Sequence, residues 1–468
     1  MLIVKCNSTF KPEREYICQV LLREFLGLDF RILWDNRINW CLVVSEGDAE
    51  LFLPDILFQA PENAWLTLES LPKQPLPVWD TSRTNLNCQL VDNKIPVIYG
   101  DLALSEQITC IGSQKNALTI PIDIFGSAFF MLSRYEELVK TERDVHDRFP
   151  AWASLAFQEN FLDRPIVNEY LEILWSSMKR LWPGLERKKR TFTMKVSCDV
   201  DHVYQEGIKN PLQQIKTVGG DLVRRKSPVL ATKSAINYIA SRFGNYSFDP
   251  YLSAIDWIMD INERAGNIVA FYFKAGQTNP QFDSSYSLDE PVVRKLLKRI
   301  HERGHEIGLH PSYNTYKHEK ELTIEADNLQ RIFERLQIQQ SFLGSRQHYL
   351  KWDVNTTPQI LENIGIFYDT TLSFADYAGF RCGCCYEFYL FNLKSRDRTS
   401  FIERPLLVME CSLLDYMGMN LEEALNFSNK IKMFCRQYEG IFTILWHNTS
   451  VLDEARENYM YFIDGSSM

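Results

Sequence analysis

From residue 192 onward, short apolar runs alternate with amphipathic stretches, and this alternation limits the fold more tightly than any other feature of the 468-residue chain. Residues 192–197 read as a short strand. Residues 267–273 (NIVAFYF) are apolar almost throughout, as a strand covered on both faces must be. Pro291 opens a helix with the stripe Val293, Leu296, Leu297 and Ile300, and Gly304 ends it. A strand over 305–310, a helix over 324–336, a strand over 341–344, a helix over 357–364 closed by Gly365 and a strand over 367–372 follow. Asn420 caps a helix through Tyr438, Gly440 closes it, and 441–446 is a last buried strand. Parallel strands need long crossovers, so this order predicts an α/β fold: a parallel sheet or barrel covered by helices.

The first 185 residues show no such order. Helices are expected over 13–26, ended by Gly27, over 125–140 (FGSAFFMLSRYEELVK) and over 167–182, stopped by Pro183-Gly184. The basic stretch 186–190 reads as a boundary. A chain of this length exceeds one ordinary core. The expected organisation is therefore an accessory α/β domain over 1–188 and a (β/α) domain over 189–468, with a helical insert at about 204–262.

A net charge of −9 argues against a nucleic-acid surface. The local basic runs Lys188-Lys189-Arg190 and Arg224-Arg225-Lys226 read as solvated linker or helix faces. No apolar run reaches the ~18 residues of a membrane span, and the first residues lack a signal-peptide core. A cytoplasmic address is expected. The 11 cysteines are scattered and read as reduced thiols. Cys382-Gly383-Cys384-Cys385 has no second pair at zinc-ligand spacing.

In parallel α/β folds the active site gathers at the C-terminal ends of the strands. Here strand after strand ends in ionisable groups: Asp199, Asp201 and His202 on the first, His310 on the third, Arg346 and His348 on the fourth, and His447 on the last, with Asp369 inside the fifth. Carboxylate and imidazole ligands suit a borderline divalent ion such as zinc, cobalt or nickel. Such an ion activates water and polarises a carbonyl, a carboxylate takes a proton and a histidine returns one, which together describe amide hydrolysis.

The residues resemble the polysaccharide deacetylases (carbohydrate esterase family 4). Asp199-Val200-Asp201 looks like the family's opening motif, whose first aspartate is the base and whose second binds metal. Residues 304–310 (GHEIGLH) are similar to the second motif, which makes His310 a metal ligand. Residues 345–349 (SRQHY) resemble the third, in which the arginine pairs with the base, and Leu445-Trp446-His447 the last, whose histidine is the general acid. Asp369 falls near the fourth motif, whose acidic and aromatic residues line the site. The resemblance covers about 192–448 and implies a distorted (β/α)7-type barrel. The phrases GLHPSYNTY, RQHYLKWD and GFRCGCC also resemble a bacterial subgroup associated with surface-polysaccharide synthesis, in which an N-terminal domain with an LSRYEE helix comes first, as residues 132–137 do here.

Residue for residue, the resemblance implies Asp199, His447, Arg346 and Asp369 as catalytic and Asp201 and His310 as metal ligands. The family's second metal histidine falls on Asn314, so Asn314, His348 or His202 completes the set. His348, Tyr349 and Arg381 are the expected substrate contacts, and His305 is structural. The expected function is removal of an N-acyl group from a sugar or sugar-linked intermediate. Two rivals stand beside it: a non-catalytic carbohydrate-binding protein on the same fold, which the asparagine favours, and hydrolysis of a small non-sugar amide.

Overall fold

In a computed structural model of the chain, residues 1–464 are described except 46, 85, 107–116, 206–207, 209, 225 and 454. The first part carries strands β1 (Leu2–Asn7), β2 (Phe30–Asp35), β3 (Asn39–Val44), β4 (Glu50–Pro54), β5 (Val78–Asp80), β6 (Lys94–Pro96) and β7 (Ala117–Thr119). Five of them form a mixed sheet in the order β2-β1-β3-β4-β7, and β5 pairs with β6 alone. The helix expected over 13–26 is α-helical over Lys11–Cys18 and continues as a π-helical stretch over Gln19–Phe25. The single helix expected over 125–140 is two, Ile124–Leu132 and Tyr135–Val139. Arg134 breaks it with a left-handed backbone (φ 57°), and its buried guanidinium donates to the Met131 carbonyl and to Glu137. The third helix is close to expectation, Ile166–Leu181.

The second part carries β8 (Thr193–Val200), β9 (Val269–Phe273), β10 (Glu306–Leu309), β11 (Gly344–Ser345), β12 (Tyr368–Asp369), β13 (Phe388–Asn392), β14 (Asp397–Glu403), β15 (Val408–Met409) and β16 (Ile441–Leu445). They form one sheet in the order β13-β14-β12-β11-β10-β9-β8-β16-β15, parallel except for β13 against β14. The sequence alternation anticipated the parallel strands from β8 to β12 and β16. It did not show the β13–β14 hairpin, which needs no crossover helix, or the two-residue β15.

The sheet curls. Arg346, just past β11, donates to Ser197 Oγ on β8 (2.8 Å), although β10 and β9 lie between those strands. The inside is filled by rings where the backbone gives them room: a Cβ on Gly308 would collide with the Tyr272 ring, and one on Gly344 with Tyr368. The two phenols meet at 3.0 Å.

The expected insert is three helices, Pro211–Val223, Pro228–Arg242 and Pro250–Arg264. Each starts with a proline in its first turn behind a side-chain cap, Asn210, Ser227 or Asp249, which satisfies amides that the helix leaves open. Cys382, Cys384 and Cys385 are buried free thiols within the apolar core.

Candidate metal-assisted active site

The loops after β8, β9, β10, β11, β15 and β16 surround a cavity of about 440 Å³ lined by Asp199, Asp201, His202, Lys274, His310, His348, Tyr349, Cys411 and His447 among others. Asp199 and Asp201 lie two apart at the end of β8, so an extended backbone turns both side chains the same way. Both lie close to His310, whose Nε2 is 3.8 Å from Asp199 Oδ2 and 3.3 Å from Asp201 Oδ1. His348 Nε2 stands 3.3 Å from that same Asp201 oxygen. These three residues form a group whose ligand atoms lie within 4.8 Å of one another.

The hydrogen bonds of the two imidazoles decide what faces the cavity. His310 Nδ1 meets the Arg346 carbonyl, which can only accept, so Nδ1 carries the proton and Nε2 presents a lone pair. That Nε2 is buried and has no hydrogen-bond partner. His348 Nδ1 is 2.8 Å from Asp283 Oδ1. Burial works to raise the Asp283 pKa, but hydrogen bonds from His348 and from the Asn279 and Tyr313 amides prevail and hold it at about 2. His348 therefore also turns a lone pair inward, oriented by a carboxylate as metal-binding histidines commonly are. Two imidazole nitrogens and one carboxylate oxygen are a donor set that fits a borderline divalent ion.

Lys274, directly after β9, places Nζ 3.3 Å from the shared Asp201 oxygen. Burial would raise the Asp201 pKa, but the Lys274 ammonium foremost outweighs it and the carboxyl lies well below its usual range. Asp199 Oδ1 accepts from Arg346 Nη1 (2.9 Å). After the neighbouring strand β16, His447 Nε2 is 3.7 Å from Asp201 Oδ2, and its Nδ1 is 2.6 Å from Glu410 Oε1. Burial would favour neutral His447, but the Glu410 carboxylate, with Cys411 beside it, raises its pKa well above the ordinary imidazole value. His447 stands at the end of β16, the strand paired with β8, as a proton donor beside Asp201.

Three expected positions lie elsewhere. Asn314 does not line the cavity: its side-chain amide donates to the Thr278 carbonyl (3.2 Å), because the chain past Pro311 turns away from the rim. Arg381 is buried against Glu137, and its Nη1 donates to the Ser373 carbonyl (2.6 Å), so it cannot clamp a ligand. Asp369 is fully buried in β12 beneath the site, bound to Ser345 Oγ and the Thr371 amide. Burial prevails over those bonds and pushes its pKa to about 6. His202 lines the cavity outside the three-ligand group, and Tyr349 lines it from a left-handed backbone (φ 62°).

Residues at the site that the sequence reading does not reach include four with charged side chains. Lys274 stands at a strand end and could have been found by the rule that found the others. Glu410 follows a strand too short to recognise, Asp283 lies in a loop, and Arg148 reaches the cavity from the first part of the chain, held by Asp144 (2.7 Å) and the Tyr349 carbonyl (3.0 Å).

Residues 1–183 match the model of a family of unknown function, DUF7033. No curated protein matches the chain. The crystal structure of a Mycobacterium smegmatis protein provisionally described as a polysaccharide deacetylase is distantly similar: 15% identity, TM-score 0.38, over 59% of this chain and 84% of that one.

Proposed function

We propose that the chain is a metal-dependent hydrolase that removes the N-acyl group from a sugar. One observation carries the reading: two buried imidazole nitrogens, Nε2 of His310 and Nε2 of His348, stand 3.3 Å from a single oxygen of Asp201. Three strand ends supply them, and ligand atoms gathered so closely suit a cation. Asp201, His310 and His348 would hold the ion, with His348 in the place that the motif resemblance assigns to Asn314. Zinc, cobalt and nickel all suit the set. In this reading residues 1–188 are an accessory unit that lends Arg148 to the cavity wall, and residues 189–468 carry the chemistry.

A divalent ion bound there would lower the pKa of a water and polarise the acyl carbonyl. Asp199 accepts the proton of the attacking water through Oδ2, its other oxygen being held by Arg346. His447, charged through Glu410, gives a proton to the leaving amine. Tyr349 offers the substrate an apolar face.

A second reading is favoured by Lys274, whose ammonium already stands on the oxygen that an ion would use. If it excludes the ion, the cavity binds an acylated sugar without cleaving it. Elemental analysis of the purified protein, with acetate release from N-acetylated saccharides and from small amides, separates the readings. The expected result is about one divalent ion per chain, lost in His310→Ala, and acetate from saccharides only. A protein that takes up no zinc, cobalt or nickel would leave the binding reading.

A further inference from the structure

The helical insert is built inside out. Helices Pro211–Val223 and Pro228–Arg242 pack on each other through polar groups: Gln214 Nε2 donates to the Ser234 carbonyl (2.6 Å), and Ser234 Oγ donates to Asp221 Oδ2 (2.7 Å). The side chains buried along the pair are Gln214, Asp221, Ala231 and Asn237. Leu212, Ile215, Leu222, Val223, Ile239 and Phe243 are exposed, Val223 at 76% and Phe243 at 85%. Among the described residues, none from 211 to 243 joins the main apolar core. A pair of amphipathic helices in water does the reverse, burying its apolar stripe.

The charge is inverted as well. Residues 208–243 hold seven lysines and arginines against the single acid Asp221, in a chain whose net charge is −9. The two helices, of 13 and 15 residues, are shorter than the ~20 residues that cross a bilayer. At the turn between them, apolar Leu222, Val223 and Val229 lie beside Arg224 and Lys226, so an apolar tip carries a basic collar.

We propose that this hairpin docks the protein on an anionic lipid surface, its outward apolar side chains among the acyl chains and its basic residues at the headgroup phosphates. The charge selects this occupant: hairpin-to-hairpin pairing of two copies would bring like charges together, whereas anionic headgroups complement them. The hairpin is tied at its base to the strand end that bears Asp201. Asn237 Nδ2 donates to Asp249 Oδ2 (3.2 Å) and to Gln205 Oε1 (3.3 Å), and the Tyr246 and Tyr204 rings lie 5.5 Å apart. The inference does not depend on the chemistry proposed for the cavity.

Sedimentation of the full chain with vesicles tests it. The wild type should sediment with phosphatidylcholine vesicles containing about one-third phosphatidylglycerol, and at least ~10-fold less with phosphatidylcholine alone or at high salt. Leu222→Glu/Val223→Glu and Arg224→Gln/Lys226→Gln should each lower partitioning by about tenfold or more. Melting temperature and metal content should stay unchanged, since all four positions are exposed. A wild type that ignores anionic vesicles, or variants that bind as the wild type does, overturns the proposal. Loss of a concentration-dependent dimer in the variants, without vesicle binding, would assign the face to a second copy instead.

Discussion

Two clusters of buried charge invite comparison: the rim around Asp201, and the junction where Arg134 and Glu137 meet Arg381. At the junction every charge meets its complement. Glu137 accepts from Arg134 Nε (2.8 Å), Arg381 Nε (2.9 Å) and Arg381 Nη2 (2.7 Å), and the remaining guanidinium groups reach carbonyls of Met131 and Ser373. Burial alone would raise the Glu137 pKa, but Arg381 and then Arg134 prevail and hold it at about 2. At the rim the match is incomplete: Arg346 holds one oxygen of Asp199 and Lys274 one of Asp201, but the buried His310 Nε2 faces carboxylate oxygens and has no hydrogen-bond partner. Buried charge as such does not mark a functional site. A fully matched cluster ties the two parts of the chain together, and the mismatched one is where the ion is proposed.

The largest effect expected at the rim is on turnover. Asp199→Asn keeps the shape but cannot accept a proton, so acetate release should fall about 10²–10⁴-fold while the ion stays. Asp201→Asn should lose both. Near-wild-type turnover in Asp199→Asn would remove the proposed base, and loss of the ion would make Asp199 a ligand.

The junction should answer in stability instead. Glu137→Gln leaves the buried Arg381 guanidinium without its carboxylate and Arg134 with Glu136 alone, at a cost of about 3–5 kcal/mol, with metal content per folded molecule unchanged. The folded pKa of Glu137, about 2, lies below the unfolded value of about 4.3. Its contribution is therefore present above pH ~4.3 and is lost as pH falls toward ~2. The melting-temperature gap between wild type and Glu137→Gln should close over that window; a gap independent of pH would contradict the assignment.

A smaller effect is expected where the rim touches its support. Asp283→Asn weakens the bond that orients His348, and metal affinity should drop about 10- to 100-fold. Unchanged affinity by metal titration would mean that His348 is not a ligand.

The comparison also shows what was legible in the sequence. Parallel strands with ionisable ends could be read because each strand is a continuous apolar run and each rim residue follows it directly; Asp199, Asp201, His310, His348 and His447 were found that way. Arg381 sits in the same kind of sequence, between Gly379 and Gly383, and was read as a substrate clamp. What makes it structural is Glu137, which lies 244 positions earlier and meets it only in the fold. Asp283 and Arg148 are hidden for the same reason, since what brings them to the rim, His348 and the Tyr349 carbonyl, is 65 and 201 positions away. The insert was expected to be helical and is, but its basic run was read as a solvated face because the direction of its apolar side chains depends on how the two helices pair.

Asn314 carries the smallest expected effect, and it separates a position in a motif from a position in space. The motif resemblance sets a ligand four residues after His310, which presumes that the chain stays beside the ion over that stretch. Here it does not. Pro311 follows β10, Asn314 donates through Nδ2 to the Thr278 carbonyl and through its backbone amide to Thr278 Oγ1 (2.9 Å), and His348 fills the vacated place beside Asp201. Asn314→Ala removes one half-buried hydrogen bond, worth about 1 kcal/mol, so the melting temperature should fall slightly while metal affinity stays within about threefold. Asn314→His should not tighten binding, because its ring would meet Thr278 rather than the cavity. Metal titration of both variants beside His348→Ala decides the matter. A tenfold gain in Asn314→His together with an indifferent His348→Ala would return the third ligand to position 314 and make His348 a substrate contact.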